Sequence, residues 1–301
     1  MESPRRARAE TLAYAGLGLA TVGWAIGFIA GKLALTAMSP LAVAAWRYAV
    51  AATILLPFAL RQCPVDGIGR AAAPLAGMVV CGGVLYPWRF LAALSRTSAT
   101  NTALMVALNP VLTSLLVPLV GERLDRQRLG GVGLALVGAV VVMTRGDLGH
   151  LARLSLNPGD AIALAAAAVW ATFNLTSRGV VGRLTPAFTN WVIYAMGGVA
   201  LYVIGRADAP WGQLTAATPA ALGGVVLMAV FSSVIAGQCF LVGVRTVGVS
   251  RTVVFVYLVP VLTAAFSATF LGEAFEAAQG LGGAAVLAGV YLTTRGGPAV
   301  G

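Results

Sequence analysis

The sequence is poor in the groups that do chemistry. It has one histidine, His150, and no HExxH or GxSxG run, so metal-assisted hydrolysis and serine-nucleophile catalysis lack their parts. The cysteines Cys63, Cys81 and Cys239 form no CxxC pair and have no histidine beside them, which argues against a metal site and a disulfide framework. Acidic residues number 10 against 20 basic ones. None pairs with another inside an apolar segment, which removes general acid–base chemistry. It also removes the intramembrane carboxylate that proton-driven carriers usually place; Asp160 reads as an N-cap after Asn157-Pro158-Gly159. No enzymatic activity and no cofactor are expected.

Basic charge is present, a formal +10, but its 19 Arg and single Lys stand singly at the ends of apolar runs. Nucleic-acid binding calls for a basic face interleaved with aromatics on one element, and no segment has one. What the chain has in abundance is apolar surface: 59% hydrophobic residues against 10% charged, with a mean hydropathy of +0.88. That balance makes the bilayer the main solvent and membrane lipids the surrounding partner. The basic run at Arg5, Arg6 and Arg8 resembles the start of a signal peptide, but the apolar run behind it is too long for a cleaved segment and reads as a first span.

Apolar stretches between polar breaks predict an all-α membrane protein with ten transmembrane helices, near 12–35, 40–60, 71–93, 99–119, 128–144, 159–178, 186–205, 220–243, 250–271 and 277–294. With these spans the two termini and the loops on their side carry thirteen basic residues and the opposite side five. By the positive-inside rule both termini are expected in the cytoplasm of a bacterial inner-membrane protein.

An internal repeat is visible. Leu108-Asn109-Pro110-Val111-Leu112-Thr113 recurs as Leu258-Val259-Pro260-Val261-Leu262-Thr263, and Gly121-Glu122 recurs as Gly272-Glu273. Gly131 and Gly138 match Gly282 and Gly289; Trp24 matches Trp170, Lys32 matches Arg178, Ser39-Pro40 matches Thr185-Pro186, and Arg96-Thr97 matches Arg245-Thr246. The halves, 12–144 and 159–294, hold five predicted spans each, an odd number, so the second copy is expected upside down. Two inverted five-helix repeats are the architecture of secondary transporters, whose halves exchange conformations to open one side as the other closes.

The residues that carry the repeat resemble the drug/metabolite transporter superfamily, and within it the EamA-type ten-span exporters. The resemblance implies export of amino acids or related metabolites; recurrent Trp and Tyr within spans make the aromatic amino-acid exporters the most similar branch. The second half departs from the Asn-Pro pattern, with Val259 before Pro260. A channel or lipid- or drug-flipping protein is the other class compatible with these features, and the chain is expected as a monomer or homodimer.

Candidate substrate-binding residues follow from helical faces. Trp24, Phe28 and Lys32 share one face of the first span, and Trp170, Asn174 and Arg178 the equivalent face of the sixth. Asn101, Met105 and Asn109 share a face of the fourth, matched by Thr252, Phe255 and Val259 in the ninth. Arg89 in the third span aligns with Gln238 in the eighth. Lys32, Arg47 and Arg89 are expected either to snorkel to the outer interface or to form a basic vestibule for a carboxylate. Pro110 and Pro260 each remove a backbone donor and are expected to bend their spans as paired gates. Gly23, Gly27 and Gly31 read as a close-packing stripe. Glu122 and Glu273 are expected to pair with Arg or cap the following helix, against the unfavourable dipole of a helix C-terminus.

Overall fold

The structure, a computed structural model, describes residues 4–63, 68–116, 126–144, 146–147, 157–177, 179–180, 182–248, 252 and 255–295. These residues are all-helical, without a β-strand. The helices are α1 (Pro4–Ala34), α2 (Pro40–Arg61), α3 (Ile68–Leu94), α4 (Ala99–Val106), α5 (Asn109–Leu116), α6 (Arg126–Met143), α7 (Pro158–Ser177), α8 (Pro186–Ile204), α9 (Pro210–Ala216), α10 (Pro219–Val247), α11 (Leu258–Leu271) and α12 (Ala277–Arg295). Six of them, α1, α2, α3, α7, α8 and α10, meet the length and hydropathy of a membrane span, and Gly130–Val142, Leu258–Leu271 and Ala277–Gly289 are shorter apolar helices.

Local sequence explains where these helices start. Ser39, Thr185 and Thr218 lie in extended conformation, and each side-chain oxygen accepts from the backbone N–H three residues on, at 3.2 to 3.3 Å. In each case a proline follows at the first helical position, where its missing N–H costs nothing and its fixed φ suits the helix. Ser98 opens α4 in the same way, accepting from Asn101 N at 3.0 Å.

Glu273 does not cap the helix that follows it. Its carboxylate accepts from Ala99 N at 3.0 Å and Thr100 N at 3.5 Å, so it caps α4 from across the bundle. The reason is supply and demand: α4 begins inside the protein, away from water, and its orphan N–H groups need an acceptor that favours the positive helix end. Glu122 and its preceding Gly121 lie outside the described residues, as does Arg178.

The fourth predicted span is interrupted. α4 stops at Val106 and α5 starts at Asn109, with Ala107 and Leu108 in a turn directly before the Asn109-Pro110 pair. Pro110 has no N–H to give the Val106 carbonyl four residues back, which accounts for the place of the break, and the Asn109 side chain donates to that carbonyl instead at 3.2 Å. The side chain of Pro110 lies outside the described residues.

Two long helices carry π-helical stretches at matching places, Val79–Leu85 in α3 and Met228–Ile235 in α10. A π-turn widens the helix and leaves carbonyls poorly paired, which in an apolar setting must find other donors. The Tyr48 hydroxyl donates to the Gly82 carbonyl at 2.8 Å, and the Tyr194 hydroxyl to the Ser233 carbonyl at 2.9 Å.

Helices pack in reciprocal pairs: α1 along α10, the second half of α3 along α7, α2 against α8, and α6 against α12. The α6–α12 pair touches backbone to backbone. A Cβ on Gly138 would lie 2.5 Å from the Gly282 carbonyl oxygen, and one on Gly282 would lie 2.7 Å from the Gly138 carbonyl oxygen. The α1 glycine stripe packs likewise: a Cβ on Gly23 would lie 2.6 Å from the Phe231 carbonyl oxygen in the π-stretch of α10. The largest core cluster draws on α1, α2, α3, α7, α8 and α10, and these helices surround the cavity described next.

Candidate functional site

At the centre of the bundle is a cavity of about 960 Å³ of empty space, counted out to its open side. Its wall is aromatic. Trp24 meets Phe240 with ring centroids 5.5 Å apart; Phe240 lies 6.3 Å from Trp170; and Trp170 packs on Tyr86 at 4.5 Å and Phe173 at 4.6 Å. The wall continues through Tyr86 to Phe90 at 5.8 Å and from Phe90 to Phe28 at 4.9 Å. All these residues line the cavity, with Trp24 and Trp170 only partly buried.

The polar lining is sparse. It comprises Arg47, Asn109, Asn190, Ser232 and the tyrosines Tyr48, Tyr86 and Tyr194. Tyr48 and Tyr194 pack ring to ring at 4.7 Å, each with its hydroxyl donated to a π-stretch. Asn109 donates to the Val106 carbonyl at 3.2 Å and accepts from Asn174 Nδ2 at 3.4 Å, an arrangement that bridges the break between α4 and α5 to α7. Arg47 is 5% exposed, and its guanidinium carbon lies 4.7 Å from the Tyr48 ring centroid. No described acidic residue lines the cavity.

The predicted site residues therefore divide. Trp24, Phe28, Trp170 and Pro260 line the cavity, and Asn174 reaches it through Asn109. The others lie outside the lining, each for a geometric reason. Lys32 stands eight residues above Trp24, roughly 12 Å along the helix, and its ammonium donates to the Thr97 carbonyl at 2.7 Å. Arg89 sits about 100° around α3 from Phe90, with its guanidinium carbon 5.7 Å from the Trp88 ring centroid. Gln238 donates to the Pro186 carbonyl at 3.4 Å, between α10 and α8. Phe255 stacks on Tyr14 at 5.9 Å. Met105 is fully buried in a second core cluster with Leu108 and Val111.

Asn101 belongs to a separate polar cluster beyond one end of the cavity. Its Nδ2 donates to Asp160 at 3.4 to 3.5 Å, and its Oδ1 accepts from Gln279 Nε2 at 2.7 Å. Thr97 Oγ1 donates to Asp160 Oδ1 at 2.6 Å. Asp160, 1% exposed, is thus not simply an N-cap; Asn157 caps this start, accepting from Gly159 N at 2.8 Å. Through Lys32, Thr97, Asn101, Asp160, Glu273 and Gln279 the cluster joins α1, α4, α7 and α12 with the loops beside them.

Sequence reasoning missed most of the wall. Tyr48 and Tyr194 carry a usable signal, since they stand at the same offset of 146 residues as Ser39-Pro40 and Thr185-Pro186. Tyr86, Phe90, Phe173 and Phe240 lie among other apolar residues without a distinguishing period, and a π-stretch that shifts the helical phase precedes three of them.

Comparisons with known proteins agree in kind. The model of the EamA-like transporter family matches residues 11–144 and 157–295. An uncharacterized transporter of Bacillus subtilis (strain 168) is 28% identical over 264 residues, 86% of this chain and 85% of its own length. A probable terminal-alkyne amino-acid exporter of Streptantibioticus cattleyicolor is 26% identical over 287 residues, covering 93% of this chain and 92% of its own. A protein of known crystal structure, 18% identical, superposes with a TM-score of 0.64 over 95% of this chain and 97% of that one, a likeness of fold.

Proposed function

The chain belongs to the EamA-like transporter family, and from that membership we propose that it exports amino acids, aromatic ones above all, or related small metabolites by alternating access. The single observation that carries this reading is the central cavity walled by Trp24, Phe28, Tyr86, Phe90, Trp170 and Phe240. Indole and phenyl faces stack on an aromatic solute at about 0.5–1.5 kcal/mol beyond burial. One relative is named as an amino-acid exporter, which supports the solute class. Proteoliposomes holding the purified chain test the reading: labelled phenylalanine, tyrosine and tryptophan should show saturable counterflow, whereas a channel would give no counterflow.

Ten spans in two inverted halves remain the architecture we infer. Six long helices, three shorter apolar ones and the interrupted α4–α5 unit supply ten crossings. The reciprocal packing of α1 on α10 and α3 on α7 supports a two-fold relation, because exchanging the halves turns one pair into the other. Matching π-stretches, each closed by a repeat-related tyrosine, support it further. With both termini in the cytoplasm, the Lys32–Thr97–Asp160–Asn101 cluster falls at the outer end and acts as a closed outer latch, with Glu273 across from it.

Opening that latch should be measurable. In Asp160→Ala the Thr97 hydroxyl and Asn101 amide lose their shared acceptor, which costs about 1–3 kcal/mol for charge-assisted bonds. A cysteine at Thr100, a buried position, should then react with an impermeant maleimide added outside roughly tenfold faster than in the otherwise unchanged chain. Unchanged labelling would dismiss the latch.

Coupling to protons is not part of the mechanism proposed. Aspartate or glutamate in the solute path is the usual proton carrier, and the described acids stand away from the cavity lining. Counterflow should be insensitive to an imposed pH gradient, and uphill accumulation driven by that gradient would refute the point.

A further inference from the structure

Two cavity-lining side chains point hydrogen-bond donors at nothing. Arg47 Nε and Asn190 Nδ2 are buried without a hydrogen-bond partner, on residues 5% and 4% exposed, and both residues face the same cavity. Buried donors are normally satisfied, and a buried charge is normally paired. The Tyr48 and Tyr194 hydroxyls donate to backbone carbonyls, and what Tyr48 offers the rest of the Arg47 side chain is a neutral phenol oxygen. What the site lacks is an acceptor carrying negative charge.

The geometry points to a carboxylate subsite formed by Arg47 of α2 and Asn190 of α8, with a net-anionic aromatic acid as its preferred occupant. This rests on the reading of the cavity as a solute pathway, and it sharpens the solute class. Two acceptor oxygens on one carbon match a guanidinium edge and an amide N–H. Gly237 leaves room for the approach to the amide, since a Cβ there would meet the Tyr194 hydroxyl and lie 3.5 Å from Asn190 Nδ2. The aromatic wall through Trp170 and Phe240 takes the ring. An α-ammonium group, by contrast, finds only neutral oxygens and the repulsion of Arg47, because the described acidic residues are absent from the lining. An anion is therefore preferred to a zwitterion, and a zwitterion to a cation.

Three probes differing by one group each separate these charges: 3-phenylpropionate, L-phenylalanine and phenethylamine. Each unlabelled probe competes against labelled L-phenylalanine counterflow, and each is also added to the purified full chain in detergent while its melting temperature is followed. Both acids make the charge-assisted hydrogen bonds, which phenethylamine lacks, and repulsion between Arg47 and the α-ammonium predicts an inhibition constant about tenfold lower for 3-phenylpropionate than for L-phenylalanine, with little effect of phenethylamine. Arg47→Gln should erase that order, Arg47→Lys should keep it at reduced strength, and Asn190→Ala should lower the anion's advantage by about threefold. Equal inhibition by the three probes, or an order that survives Arg47→Gln, overturns the subsite and leaves the exporter reading standing. Absence of any phenylalanine counterflow overturns the exporter reading instead, and the order of melting shifts then decides the subsite alone. Should Arg47→Gln fail to fold, the wild-type probe order and Arg47→Lys decide it.

Discussion

Trp170→Ala is expected to raise the KM for aromatic solutes by about tenfold to a hundredfold, and to do so selectively. The indole at this position is the hub of the cavity wall, with centroid distances of 4.5 Å to Tyr86, 4.6 Å to Phe173 and 6.3 Å to Phe240. Truncation removes a stacking surface worth about 0.5–1.5 kcal/mol and part of an apolar wall worth about 1.5–3 kcal/mol when fully used. It also frees Tyr86 and Phe173 to turn into the vacated space, so the remaining wall no longer holds a flat ring. Trp24, whose ring meets Phe240 at 5.5 Å, sits at the end of the chain of contacts, and Trp24→Ala should cost less. The measurement is counterflow of labelled phenylalanine, tyrosine, tryptophan and a small aliphatic amino acid at matched protein levels. An equal loss for every solute means a structural role only, and wild-type kinetics in both variants would remove the case for aromatic cargo.

Gly138→Leu is expected to leave almost no folded protein. Overpacking an ordinary core costs about 1–3 kcal/mol because neighbouring side chains shift. Here the neighbours are backbone: a Cβ on Gly138 would lie 2.5 Å from the Gly282 carbonyl oxygen and 2.6 Å from the Val286 amide nitrogen. Such atoms move only if α6 and α12 part along their length. Gly133, five residues earlier on the same helix, has nothing within 4 Å of its Cβ position, so Gly133→Leu should be neutral or slightly stabilising through better helix propensity. Monodisperse yield after detergent extraction, read at equal transcript levels, compares the two; similar yields would show that the α6–α12 contact is not needed for folding.

Sequence made the helices legible because membrane spans announce themselves by length and apolarity, and Ser39-Pro40 and Thr185-Pro186 mark helix starts with capping chemistry. Trp24, Phe28 and Trp170 were legible as cavity residues because a uniform 3.6-residue period holds through the middle of α1 and α7. The face shared by Asn101, Met105 and Asn109 is interrupted by the turn at residues 107–108, and of the three Asn109 lines the cavity; Arg89, singled out by its match to Gln238, lies beyond a π-stretch with its guanidinium by Trp88. A rule that assumes unbroken helix fails where the helix changes pitch. Arg47 illustrates a different limit: its depth in the span was readable, but whether it leaned toward lipid headgroups or the interior depended on the packing of α2 against α8. Lys32, Asp160, Asn101 and Gln279 are spread over 248 positions of sequence, and only tertiary contact unites them.

The Arg47 charge has a consequence for the cell that houses the chain. A carrier with a water-accessible path risks short-circuiting the membrane, since hydronium and sodium ions are far smaller than an aromatic solute. A fixed guanidinium at the cavity wall raises the energy of a small cation 8 Å away by about 2 kcal/mol at an effective dielectric constant of 20, a factor of roughly thirty in its occupancy. Positive charge placed in a narrow path is a known way to exclude protons and cations. A bilayer carrying this protein should thus lose little of its cation gradients through this cavity.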